Sequence, residues 1–253
     1  MFGDADDELE VFARQMQKII LMAEQAYETT DSDRSIIRGS LEENLIRFYV
    51  DRRMWHYNAR SNRDKLRVVG IPHEEVPRLK MFVAYLKTSY RAELAKATQD
   101  PEKVHALSVL SLVFENLLNT NGDLFDTQTA DAIDSAIQRP RVIYDFGRLK
   151  ARGLGVAMAQ LVNVVGFATG SLGEGDVVFI HGAELITDEA VRNYLRSELG
   201  SLYKKGGRVV YIYHDISAMI RDVKFNGFDR ADYTILTSMS ENIAADYQKT
   251  LGQ

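Results

Sequence analysis

The chain contains no cysteine, only four prolines and a single tryptophan. Without thiols there is no disulfide framework, no cysteine zinc site and no thiol nucleophile, which excludes an extracellular disulfide scaffold but leaves the compartment open. Long apolar runs are also lacking, since none approaches the ~20 residues that span a bilayer. The start MFGDADDELE is acidic and has neither the basic n-region nor the apolar core of a signal peptide. These absences predict a cytoplasmic protein that meets a membrane only through partners. Positive charge is not in excess either. A net charge of -5 and a pI near 5.6 exclude a whole-molecule electrostatic footprint for nucleic acid, although a local basic face fits inside that balance.

What is present is enough apolar material for a substantial core: 253 residues, 45% of them hydrophobic, suit one large domain or two small ones. The first half reads as helix throughout. Leu9, Phe12, Met16, Ile19, Ile20, Ala23 and Tyr27 recur at three and four residues behind an acidic first turn, as an amphipathic helix requires. A second helix starts near Asp33 and carries Ile36, Ile37, Leu41, Leu45 and Phe48 on one side. Pro77 suits the first position of a third, with Leu79, Phe82, Val83, Leu86 and Tyr90. A fourth follows Asp100-Pro101 through Val104, Leu107, Leu110, Phe114 and Leu117, and Asn119 to Gly122 stops it. Between the second and third helices the cluster Arg52, Arg53, Trp55, His56, Tyr57, Arg60 and Arg63 mixes cations with aromatics, as single-strand-binding surfaces do. Its plainer reading is a solvated helix end with Trp55 tucked into the core.

After Pro140 strands and helices alternate. Four strands are expected near 141–145, 176–180, 208–213 and 232–237, with helices at about 152–169 and 240–249 and another between the second and third strands. The stretch from Val177 to Tyr213 is the centre of this half. Two buried apolar runs flank one helix, a βαβ unit with parallel strands and a right-handed crossover. Chemistry in open α/β sheets gathers beyond the carboxyl ends of the strands, so His181 and His214, at those two ends, mark the candidate site.

The motifs decide what that site is not. G-x-x-x-x-G-K-[ST], which wraps phosphates in backbone N–H groups, is absent, and so is G-x-G-x-x-G after a strand. The glycines of 170–175 precede a strand and read as a loop. The next strand ends His181-Gly182-Ala183-Glu184, and an imidazole is no substitute for a carboxylate toward a hard Mg²⁺ ion. Glu184 lies close enough in sequence to swing in, though a surface role is the plainer one. His181 and His214 with Asp145 or Asp215 have the donor types for Zn²⁺ or Fe²⁺, against the commoner reading of hydrogen-bonded histidines. No G-x-S-x-G elbow supports a serine hydrolase.

The order of a helical block, then LFDTQT (124–129), RVIYDFGRL (141–149), GDVVFIHGAELI (175–186), KKGGRVVYIYHDIS (204–217) and ADYTILTS (231–238) resembles the C-terminal ATPase domain of conjugative, type IV secretion ATPases of the HerA/FtsK-like P-loop group. The resemblance implies an α/β fold: a partial RecA-like parallel sheet flanked by helices over 136–253, with an all-helical subdomain over 1–135. In that family one strand ends in Asp-Glu and the next in Thr-Gln. Here His181 and Gly182 stand at the acids and His214 at the glutamine, and Met1-Phe2-Gly3 looks like the point just after the strands that carry the P-loop. The resemblance therefore implies a catalytically silent ATPase-like subunit that helps assemble a DNA or protein transfer machine. Two alternatives stand beside it: an active nucleotide-dependent motor using Asp145, His181, Glu184 and His214, and an interaction module with no nucleotide role. ATP with Mg²⁺ is the cofactor in question. Other secretion-machine subunits and further copies of the chain are the implied partners, and DNA contact has no support beyond the Arg52–Arg63 cluster.

Overall fold

The structure is a computed structural model and describes residues 5–27, 31–127, 140–214, 232–235 and 241–251. The chain divides into two compact units, Met1–Ser171 and Leu172–Gln253. The first is helical: α1 (Ala5–Ala26), α2 (Asp31–Asp51), α3 (Leu79–Leu94), α4 (Pro101–Phe125) and α5 (Leu154–Ser171). Ile37, Leu41, Leu45 and Phe48 repeat at helical spacing on α2 and are all buried, so that face points into the core. Phe82 of α3 meets Phe48 and Phe114 edge to face, each with ring centroids 5.1 Å apart. That geometry suits the ring quadrupoles better than a face-to-face sandwich would.

The ends of these helices follow local chemistry. Pro101 opens α4, and Asp100 ahead of it accepts the N–H groups of Glu102 (3.1 Å) and Lys103 (3.2 Å). Pro77 does not open α3 as its sequence suggests. Arg78 stands at the cap without a side-chain bond, and the carboxylate of Asp126 accepts the Lys80 N–H at 2.9 Å instead. Nor does Asn119–Gly122 end α4: Asn121 leaves helical geometry at φ -134°, but the helix resumes and runs to Phe125. α5 lies against α1 within this first unit, where sequence order alone assigns it to the α/β region. The contact is close, because a Cβ on Gly155 would sit 2.0 Å from the carbonyl oxygen of Gln25. By length and composition α5 is also apolar enough to cross a membrane, which the sequence reading did not expect, and 44% of its 18 residues are buried.

The strand expected at 141–145 is not one. Residues 141–146 carry no regular secondary structure and pair with nothing among the described residues, and Ile143 is 81% exposed. A short 3-10 turn, Gly147–Arg152, follows, and the Asp145 carboxylate accepts the Gly147 N–H at 2.8 Å.

The second unit holds β1 (Val177–His181), α6 (Glu189–Lys204), β2 (Arg208–Ile212) and α7 (Glu241–Leu251). β1 and β2 pair in parallel as expected, with Val177 opposite Arg208 and His181 opposite Ile212. α6 starts at Asp188, whose side chain accepts the Val191 N–H, and ends where Gly206 turns left-handed at φ 88°. The N–H groups of Gly206 and Gly207 then bond back to the carbonyls of Tyr203 and Leu202, the double bond of a Schellman ending. Val191, Leu195, Leu199 and Leu202 form the buried stripe of α6. The strands are not buried on both sides. Phe179 is 64% exposed, and Val177, Val210 and Ile212, which share its face by register, are exposed as well. Among the described residues one helix, α6, packs on the strands, whereas parallel sheets ordinarily have both faces covered. Residues 232–235, the described portion of the expected fourth strand, make no pairing among the described residues, and 236–237 lie outside them.

Candidate functional site

The site lies at the carboxyl ends of β1 and β2. β1 ends at His181, and Gly182 follows in the left-handed region at φ 75°, a conformation that costs a residue with a Cβ but not glycine. Its N–H donates to the Ile212 carbonyl at 2.9 Å, which extends the pairing one residue past the strand. The reversal leads into the 3-10 turn Ala183–Leu185, and this turn brings Glu184 back across the strand ends. One Glu184 oxygen lies 3.0 Å from Nδ1 of His214, and the other accepts the His214 backbone N–H at 3.4 Å. The His181 ring meets the His214 ring edge to face, centroids 4.5 Å apart.

Three of the five residues singled out in the sequence, His181, Glu184 and His214, are thus together. Asp145 belongs to the other unit and its carboxylate is engaged with its own turn, while Asp215 lies outside the described residues. Glu184 is not on the surface as its sequence position suggested: its side chain is 18% exposed, against 59% for His214. Burial pushes the Glu184 carboxyl up, but the backbone N–H of Glu184 and the side chain and backbone N–H of His214 outweigh it and hold the group below the usual glutamate range. Sequence reasoning missed Tyr213, next to His214. Burial chiefly, with Tyr211 and Glu184 adding to it and Arg192 opposing, pushes its phenol up to about 12. The Y-I-Y-H alternation at the end of β2 was the available signal.

The donors present do not fit Mg²⁺ with a nucleotide. The strand end offers imidazole and glycine, and among the described residues the one carboxylate nearby has both oxygens in contact with His214. The glycine loop ahead of β1 does not read as a phosphate cradle either, because three of its N–H groups already have partners. Gly173 donates to the Asp176 carboxylate at 2.9 Å, Asp176 to the Gly173 carbonyl at 3.2 Å and Gly175 to the Gly206 carbonyl at 3.4 Å. Among the described residues no group of three or more His, Asp or Glu side chains is arranged to hold a metal ion.

No protein-family model and no curated protein matches the chain. Among solved structures it superimposes on VirB4 of Thermoanaerobacter pseudethanolicus with a TM-score of 0.70 over 95% of its own length, at 17% sequence identity. The chain folds like VirB4. It spans 61% of that VirB4 structure, so the likeness is one of fold over a portion of a longer chain.

Proposed function

We propose that the protein is an ATPase-like subunit of a type IV secretion or conjugative transfer machine, that it does not hydrolyse ATP, and that it acts by assembling with the other subunits. The observation that carries this reading is the pairing of a VirB4-like fold with a strand end that reads His181-Gly182, beside a glutamate tied to His214. Phosphoryl transfer depends on metal and preorganised charge around the phosphates, and removing those removes most of the barrier lowering. What Glu184 does in this arrangement is structural. It links the turn after β1 to the residue that follows β2, and so fixes both strand ends at once. In this reading the functional division is a helical subdomain over residues 1–135 and an ATPase-like subdomain over residues 136–253, and the work is done in the cytoplasm, at a membrane through partners only.

The test is calorimetric titration of ATP and Mg²⁺ into the purified chain, with phosphate release measured in parallel. Silence predicts no binding at millimolar ATP and no release above buffer. Turnover that is lost in Glu184→Gln or His181→Ala would overturn the reading in favour of an active motor.

A further inference from the structure

The segment from Arg53 to Arg67, which the function above leaves unused, is a closed and supported loop. Its ends are joined by the Arg67 N–H donating to the Met54 carbonyl at 3.0 Å. Met54, Ala59 and Leu66 are buried beneath it, and two successive 3-10 turns, Ala59–Ser61 and Arg63–Lys65, form its rim. Asn62 bridges the rim, donating to the Asn58 carbonyl at 3.0 Å and accepting from Lys65 Nζ at 2.8 Å. The exit is pinned by Glu8 of α1, whose carboxylate accepts the N–H groups of Val68 (2.9 Å) and Val69 (3.0 Å). Entry to the loop places Arg53 in the left-handed region at φ 58°, a strained conformation for a side chain of that size. Compact loops of this kind, with close ends and their own buried plugs, are frequently functional.

The outside of the loop is basic. Arg53, Arg60, Arg63, Lys65 and Arg67 are all exposed there, against the one acid Asp64, in a chain whose net charge is -5. Trp55 is not available as a platform, for it stacks on Phe12 with ring centroids 3.7 Å apart, and Arg52 is folded over the Phe48 ring at 4.1 Å. Tyr57 is different: it is 63% exposed, on the same loop as the cations. Four of the five cations are arginines, whose planar fork matches phosphate oxygens in pairs, and an exposed aromatic face gives a base something to stack on.

We propose that the Arg53–Arg67 loop is a binding surface for single-stranded nucleic acid, with Arg53, Arg60, Lys65 and Arg67 on the phosphates and Tyr57 stacked on a base. An acidic protein segment would engage the cations alone. A nucleic acid engages the cations and the ring together, and only that partner uses both features of the loop. The acidic remainder of the molecule confines the contact to this face and makes it strongly salt-dependent.

The experiment uses the full chain and fluorescein-labelled oligo-dT, followed by anisotropy from about 50 to about 200 mM KCl. Three to four phosphate contacts predict a log–log slope of roughly -2 to -3 for a single strand. Arg60→Gln, Lys65→Gln and Arg67→Gln combined should weaken binding more than tenfold and flatten the slope by about 2. Tyr57→Ala, an exposed change that leaves the plugs in place, should weaken it roughly tenfold with the slope unchanged. Lys204→Gln with Lys205→Gln, on the other unit, should have no effect. Absence of binding at low salt, or full binding by the triple variant, overturns the proposal. So does poly-glutamate that competes as well as unlabelled oligo-dT with Tyr57→Ala making no difference, which would assign the loop to an acidic protein partner.

Discussion

Gly155→Ala separates what helix propensity says from what the structure says. Gly155 is the second residue of α5, and replacing a helical glycine by alanine ordinarily stabilises by up to about 1 kcal/mol. Here the new Cβ would lie 2.0 Å from the backbone oxygen of Gln25 on α1, where real contacts essentially never fall under 3.0 Å. The obstacle is backbone, so no side chain can rotate away, and α5 must retreat from α1 by about 1 Å. A gap of that size forfeits a quarter to a half of each contact's attraction, and Val156, Ala157, Met158 and Ala159 beside it are all buried. The net expectation is destabilisation by about 1–3 kcal/mol. Trp55, the only tryptophan, stacks on Phe12 of α1, and its fluorescence therefore follows the helical unit in a urea titration. Gly39→Ala is the control, since Gly39 is exposed in α2 and its new Cβ would meet nothing within 4 Å. It should raise the midpoint while Gly155→Ala lowers it. A rise in both would refute the close crossing of α1 and α5.

The remaining predictions concern the second unit. Because the folded-state carboxyl of Glu184 lies below its ordinary value of 4.5, the stability it contributes is full above that value. It is lost as pH falls through the lowered one. Wild type and Glu184→Gln, compared by circular dichroism in urea, should differ by a constant amount near neutrality and converge in acid; a gap that widens in acid would reverse the sign of the argument. Asp188→Ala, which deletes the acceptor for the Val191 N–H, should cost about 1 kcal/mol, while Asp188→Asn, which still caps, should cost a few tenths. Equal losses in the two would mean that charge, not the cap, matters there.

The helices were legible because their apolar residues recur at 3.6-residue spacing and bury where that spacing points, as Ile37, Leu41 and Leu45 do. β1 and β2 were legible for a second reason: short valine and isoleucine runs that follow glycines have few other homes. The same logic failed at Val142-Ile143-Tyr144. A β-rich run states a preference for extended backbone, but a strand also needs a partner, and partners are not written locally: 141–146 pair with nothing among the described residues. The placement of α5 against α1 was hidden likewise, since the close approach at Gly155 depends on a carbonyl more than a hundred residues earlier. At the site, the positions of His181 and His214 followed from strand ends alone. The contact of Glu184 did not, because it depends on how far Gly182 turns the chain.

That turn bears on the chemistry more than the identity of the strand-end residue does. A histidine at the end of β1 would by itself leave room for a nearby carboxylate to face a metal, and Glu184 is the nearest candidate among the described residues. Such a carboxylate needs an oxygen free to face a metal or a water. The left-handed Gly182 and the 3-10 turn after it send Glu184 to the other strand end, where one oxygen meets the His214 ring and the other its backbone N–H. To recruit Glu184, the molecule would have to break both contacts and re-expose a side chain it now mostly buries, against the same interactions that hold its carboxyl below the usual range. The left-handed turn at Gly182 and the two contacts of Glu184 therefore belong to one arrangement, which ties the end of β1 to the residue that follows β2.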